Sequence, residues 1–101
     1  MKNYLQRAWS DAVDNIKIDE VKEAILETQT MDDEHGAFWV GVFDEEETVL
    51  ETHKDMKLIA VFNGNDEGAI TRQANNWNEV LFFYELLLRG DFDQLSTKMK
   101  Q

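Results

Sequence analysis

The residues of this sequence that could do chemistry are few, and the pair with the best spacing is Glu51 and His53. One residue separates them in an alternating segment, and on a β-strand that spacing places both side chains on one face. A carboxylate beside an imidazole could act as an acid–base pair or supply two ligands to a metal ion. The spacing is also common by chance, so a structural or exposed role for both residues stays open. The other histidine, His35, falls in a predicted loop.

Other catalytic and cofactor signatures do not occur in the sequence. Ser10 and Ser96 lie in helical contexts, without the glycine-flanked turn or nearby base that activates a serine nucleophile. There is no phosphate-binding loop and no dinucleotide-binding fingerprint. Residues 63–68 have the composition of a calcium loop, but an EF-hand would need a carboxylate where Ala74 stands. We therefore expect no enzyme activity, no catalytic residue, no metal and no other cofactor.

The acidic residues are the better candidates for function because they occur in clusters. Residues 44–47 are four consecutive acids, which repel one another, and a loop selected only for turning would not need them. Asp66 and Glu67 lie in a second loop, and residues 32–34 lie in a third. We expect the first two loops at one end of a sheet and residues 32–34 at the other end. Each cluster could equally be a solvated loop.

The overall charge favours a basic partner over a nucleic acid. The chain has 21 acidic and 10 basic residues, a formal net charge of −11 and a pI near 4.4. Phosphate binding needs Lys and Arg, so nucleic acids and anionic membranes are not expected as direct ligands. The acidic surface could steer a basic partner over a Debye length of about 8 Å at physiological salt, or it could simply keep the protein soluble.

Length and composition predict one domain, residues 1–101, in the cytoplasm. A chain of 101 residues with 43% hydrophobic residues can form one core. It has no cysteine, which excludes disulfides and thiolate metal sites and favours a reducing compartment. We find no apolar run typical of a signal peptide, and no stretch near the roughly 18–20 apolar residues of a membrane span.

Hydrophobic spacing predicts helices at both ends of the chain. Residues 3–15 have the period of an amphipathic helix, and residues 20–29 that of a second, weaker helix capped by Asp19. A long, largely buried helix begins at Asn76 and ends at Gly90. Asn76 and Glu79 can form reciprocal capping bonds, and Gly90 can adopt the left-handed conformation that ends a helix. A short tail helix follows, in which Phe92, Leu95 and Met99 recur at helical spacing.

Between these helices, residues 37–43, 48–53 and 56–63 predict three strands, so the expected fold class is α+β with a three-stranded antiparallel meander. A four-residue connection (44–47) and a two-residue connection (54–55) would place Glu51 and His53 on the face of Phe38. Both faces of such a sheet are apolar and need a cover, or leave a patch open for a partner. Trp39, on the more polar face, is either core under the N-terminal helices or the aromatic anchor of an interface.

The stretch from residue 33 to residue 95 resembles the small acidic immunity proteins of bacterial toxin–immunity systems, above all those of contact-dependent growth inhibition. The likeness lies in residues 33–42, in residues 49–58 and in residues 76–80 leading to residues 87–93. It implies a protein that binds one cognate toxin in a one-to-one complex. Such a toxin is frequently a nuclease, whose basic active site the immunity protein would occlude. These families share no catalytic motif, so the resemblance assigns no functional residue by position.

We predict that the toxin contact uses the acidic clusters of two loops, with Trp39 and the third acidic cluster as the next candidates. The predicted partner-binding residues are Asp44, Glu45, Glu46, Glu47, Asp66 and Glu67, followed by Trp39, Asp32, Asp33 and Glu34. One alternative is a phage- or plasmid-borne nucleic-acid mimic that inhibits a host defence nuclease. Another is a small enzyme or ligand-binding domain that uses His53 and Glu51. A structural subunit is a third.

Overall fold

A computed structural model describes residues 2–32, 34–64 and 66–101, which fold into a six-stranded antiparallel sheet and three α-helices. The order of strands across the sheet is β2-β1-β3-β4-β5-β6, and a 3₁₀ turn, Asp66–Gly68, precedes β6. The elements in chain order are β1 Lys2–Arg7, β2 Val13–Asp14, α1 Ile18–Thr30, β3 Ala37–Asp44, β4 Glu46–His53, β5 Lys57–Val61, β6 Ile70–Gln73, α2 Trp77–Leu88 and α3 Phe92–Met99.

The predicted N-terminal helix at residues 3–15 is wrong, because this segment supplies β1 and β2. β1 pairs with β3 along its whole length, with Leu5 opposite Val40. Polar residues on the inward side of β1 conceal the alternation of a strand. The Asn3 side chain accepts a bond from the Ile16 N–H (2.7 Å) and donates one to the Ile16 carbonyl (3.2 Å). Arg7 Nε donates to Glu27 at 2.6 Å. Pairing with the rest of the sheet therefore overrides the local helical period.

The prediction of a three-stranded meander is also wrong, because the sheet formed by the described residues has six strands. Its strands are β3, β4 and β5, and β6 adds a strand at one edge by pairing Ile70 with Ala60. β6 is not predicted, because only one of its four residues has a large apolar side chain and the alternating pattern of a strand is therefore absent. The second of its two inward side chains, Arg72, donates from Nε to Glu79 at 3.2 Å and lies over the ring of Phe83.

The register of the central hairpins differs from the predicted one by one residue at each turn. Phe43 pairs with Glu47 across a turn centred on Glu45 (φ 65°), and residues 54–56, with Met56 at φ 67°, join β4 to β5. Three-residue turns usually carry glycine at the left-handed position, so Glu45 and Met56 give no sequence signal. The first shift moves each side chain of β4 to the face opposite the predicted one, and the second shift returns those of β5 to their predicted face. Leu50 faces the same side as Phe38, and Glu51 faces the other side.

The three helices cover one face of the sheet and form the core with it. α2 packs against β3, β4 and both other helices, and α1 packs against β1 and β3. The fully buried side chains of this layer include Leu5, Phe38, Val40, Leu50, Leu58, Val80, Tyr84, Leu87 and Leu95. The weaker helix predicted at residues 20–29 is confirmed as α1, although it is capped at Lys17 rather than Asp19. The tail helix is confirmed as α3.

Both ends of α2 form as predicted. Asn76 Oδ1 accepts from the Glu79 N–H at 2.8 Å, and Gly90 is left-handed at φ 76°. The second half of the predicted capping box is replaced by other contacts, because the Glu79 carboxylate bonds the side chains of Arg72 and Asn75, each at 3.2 Å.

In the described part of the chain, no helix packs on the other face of the sheet, which we call the open face. Its central side chains keep partial access to solvent: Tyr4, Trp39, Val49, Glu51, Ile59 and Val61. Phe43 is 45% exposed at one end of this face.

Candidate protein-binding site

The hairpin between β3 and β4 projects three acids into solvent. Asp44 and Glu46 pair across the turn, Glu45 occupies its left-handed tip, and all three are exposed. Among the described residues, none of the three forms an ion pair with a basic side chain. The tip therefore presents negative charge on a backbone held by the sheet rather than on a mobile loop.

Glu47 lies one step further into the sheet and joins this tip to β1. The Tyr4 hydroxyl donates to Glu47 Oε2 at 2.9 Å. Burial raises the pKa of Tyr4 to about 12, and the bond and charge of Glu47 add to the effect. The Tyr4 ring lies against Gly41, where a Cβ atom would meet its Cε1 atom at 2.3 Å. Glycine therefore leaves room for the ring on the open face.

The loop that carries Asp66 and Glu67 lies at the same end of the sheet, as predicted. The Gly64 N–H donates to the Glu47 carbonyl at 2.9 Å, which ties the loop to the base of the acidic hairpin. Glu67 is exposed. The backbone of Asp66 begins the 3₁₀ turn.

The third predicted cluster, residues 32–34, lies at the opposite end of the sheet, also as predicted. The Lys54 N–H in the β4–β5 turn donates to the Gly36 carbonyl at 2.7 Å, which places this loop beside that turn. The His35 N–H and side chain both bond Asp32, and the backbone bond is the main reason that the pKa of Asp32 is lowered. Glu34 is exposed, and Asp33 lies outside the described residues.

Trp39 lies on the open face, which settles where this residue packs. Of the two alternatives for Trp39, a core position under N-terminal helices is wrong, because residues 3–15 are not helical and α1 lies on the other side of the sheet. Trp39 is partly exposed and stands directly opposite Glu51 on β4. The sequence does not predict this neighbour, because the predicted register places Glu51 on the opposite face of the sheet, with Phe38.

Glu51 and His53 share a face, as their spacing predicts, and are in contact. His53 Nε2 lies 2.8 Å from Glu51 Oε2, with side-chain exposures of 40% and 35%. An open cavity of about 440 Å³ lies beside the pair and is lined by His53, Lys54, Asp55 and Lys57. In the described residues, no group of three or more His, Asp or Glu side chains is arranged to hold a metal ion. Within the part of the chain that the structure describes, the pair therefore lacks a third ligand for a metal site.

The open face also gathers residues that sequence analysis left out of the site. Tyr4 was assigned to a helix, yet its ring centroid lies 6.0 Å from that of Phe43 beside the acidic tip. No local signal identifies this contact, because it depends on the pairing of β1 with β3.

None of the helices in the described residues is long and apolar enough to cross a membrane. Comparisons of the chain with protein-family models, with curated proteins and with solved structures found no match.

Proposed function

We propose that this protein is an immunity protein that binds a basic protein toxin, a nuclease, and neutralises it by covering its active site. The observation that carries the proposal is the acidic end of the sheet. Asp44, Glu45 and Glu46 are exposed there on a hydrogen-bonded hairpin, and the loop carrying Glu67 is tied to the same hairpin through Glu47.

Carboxylates in this arrangement resemble the phosphates of a nucleic-acid backbone in charge and in hydrogen-bond accepting capacity. A nuclease groove lined with Lys and Arg would bind them by charge-assisted hydrogen bonds. Because the hairpin is held by strand pairing on both sides, little conformational freedom is lost on binding. Such inhibition requires position and charge, and it requires no catalytic group on the inhibitor.

The net charge of −11 supports the same proposal at longer range. Opposite net charges raise the association rate of two proteins well above the neutral value, and salt weakens the effect. An inhibitor that must capture a toxin before the toxin reaches nucleic acid benefits most from a fast association.

The test begins with co-expression of the tagged protein and the product of the adjacent gene, followed by toxicity and nuclease assays. The expected result is a stable one-to-one complex with a basic domain that degrades nucleic acid when expressed alone. A harmless neighbour that does not bind would contradict the proposal.

A charge-reversal pair then tests the surface. The variant with Asp44, Glu45 and Glu46 changed to Lys should associate at least tenfold more slowly. The control, with Asp11, Glu23 and Glu85 changed to Lys, alters net charge equally at exposed positions elsewhere. Equal effects of the two triple variants would leave only a general charge effect and remove the hairpin from the contact.

A further inference from the structure

The centre of the open face places an indole beside a carboxylate. Trp39 and Glu51 are directly opposed on neighbouring strands, and side chains so placed have Cβ atoms about 4.5–5.5 Å apart. Glu51 Oε2 accepts its bond from His53 at 2.8 Å, and the side chain of Glu51 is 35% exposed. Trp39 is partly exposed as well. Two side chains that are directly opposed across neighbouring strands, one an indole and one a carboxylate, are therefore both partly accessible to solvent.

This combination matches the guanidinium group of arginine better than any other side chain. A guanidinium can stack on an indole and donate hydrogen bonds to an adjacent carboxylate at the same time. A lysine ammonium can make the ion pair but cannot stack as a planar group. Aromatic residues and arginine are also the types that contribute most to binding at protein interfaces.

We propose that the open face is the docking surface for a basic protein partner and that an arginine of that partner is held between Trp39 and Glu51. The inference rests on the proposed function for the identity of the partner and extends it by naming the surface and its anchor. The acidic hairpin and the open face are then one continuous footprint, because Glu47 belongs to both.

Charge distinguishes a basic partner from a second copy of this chain. Each copy carries a net charge of −11, and the carboxylates of Glu47 and Glu51 lie among the apolar side chains of the face. The face also has two lysines, Lys2 and Lys57, which are exposed at its ends. A symmetric pair through this face would bring the carboxylates near one another at its centre, and burying charges of like sign together is costly. A surface bearing arginines would neutralise them.

The face is also organised before any partner arrives. The Tyr4 ring is fixed between Gly41 and its hydrogen bond to Glu47, and Trp39 stands on a strand paired on both sides. A rigid aromatic surface loses little side-chain entropy on binding.

A hexa-arginine peptide and a hexa-lysine peptide test the anchor without the natural partner. We would titrate each into the full chain at physiological salt and follow the tryptophan indole signals by NMR. Hexa-arginine should bind at least fivefold more tightly than hexa-lysine and should shift the Trp39 signal most. Trp39→Leu and Glu51→Gln should each remove the preference for arginine.

Two matched controls isolate the site. Phe82→Leu alters an aromatic residue that is 39% exposed on α2, and Glu23→Gln removes an exposed carboxylate on α1. Both should leave the preference unchanged. Equal binding of the two peptides, or a preference that survives Trp39→Leu in a folded variant, would overturn the inference.

The two proposals fail in different ways. If the neighbouring toxin is neutralised but Trp39→Leu and Glu51→Gln bind it as tightly as the unmodified protein, the immunity function stands and the docking surface is wrong. If the arginine preference is found and no neighbouring toxin exists, the surface stands and the immunity function is wrong.

Discussion

The Tyr84 hydroxyl on α2 and the Thr52 hydroxyl on β4 lie 2.6 Å apart, and both side chains are fully buried. Tyr84 also donates to the Leu50 carbonyl at 3.0 Å, so its single proton is committed and Thr52 is the donor to Tyr84. These bonds hold Thr52 toward the helices. Because side chains alternate along a strand, they also hold Glu51 toward the open face, beside Trp39.

Tyr84→Phe should therefore destabilise the protein by about 1–3 kcal/mol, because it leaves the buried Thr52 hydroxyl without its acceptor. Urea unfolding measures the loss. The double variant Tyr84→Phe/Thr52→Val removes both hydroxyls, and it should be more stable than the sum of the single variants predicts. Additive losses would show that the two hydroxyls do not act as a pair.

The two tyrosines of this chain should make its stability fall at alkaline pH. Burial raises the pKa of Tyr84, and it raises that of Tyr4 to about 12. The unfolded chain loses both protons near pH 10, whereas the folded protein keeps them. The free energy of unfolding should therefore be unaffected below pH 10 and decline above it.

Absorbance at 295 nm tests the tyrosine prediction directly. In the folded protein, ionisation of both residues should be delayed beyond pH 10, and in urea both should titrate near pH 10. A full tyrosine equivalent titrating near pH 10 in the folded state would contradict it. Tyr4→Phe should remove the earlier of the two native transitions.

The features that could be predicted from the sequence are those that residues close together in the chain determine. α2 forms as expected because Asn76 and Gly90 mark its ends within the segment itself. The acidic end of the sheet was predictable for a similar reason, since residues 44–47 are contiguous and the strand before them is strongly apolar.

The remaining features depend on partners distant in sequence. β1 and β6 each direct an arginine toward the helix layer, where Arg7 meets Glu27 and Arg72 meets Glu79. These ion pairs replace the apolar residues by which an inward face is recognised. The pairing of Trp39 with Glu51 depends on a turn in which Glu45 occupies a position usually given to glycine, so the register could not be deduced from the turn sequence.

Gly41→Ala should displace Tyr4 from the open face. The new methyl group would overlap the ring, and the ring can swing toward solvent only by giving up its bond to Glu47. We expect a loss of about 1 kcal/mol, the usual net value of one hydrogen bond. In the 295 nm titration, one tyrosine should return toward pH 10. If the folded variant keeps both delayed transitions, the ring has remained in place and the prediction is wrong.

Asn76→Ala should cost about 1 kcal/mol, because the Glu79 N–H loses its capping acceptor at the start of α2. Asn78→Ala is the matched control, two residues further along the same helix and exposed. It should be neutral or slightly stabilising, because alanine has a higher helix propensity than asparagine and Asn78 is not the capping residue. Thermal or urea unfolding of the two variants decides the point, and equal losses would show that the bond to Asn76 is not stabilising the helix.

Salt should slow the association of this protein with the proposed toxin. If Asp44, Glu45 and Glu46 steer a basic partner, the association rate should fall steeply as ionic strength rises, because screening shortens the reach of their field. The dissociation rate should change much less, since close contacts are screened weakly. The triple lysine variant should associate slowly at low salt and show a flatter salt dependence, and Trp39→Leu should leave the association rate nearly unchanged while raising the dissociation rate. Stopped-flow mixing across a salt series separates the two effects. A steep salt dependence that survives charge reversal of the hairpin would place the steering charges elsewhere on the protein.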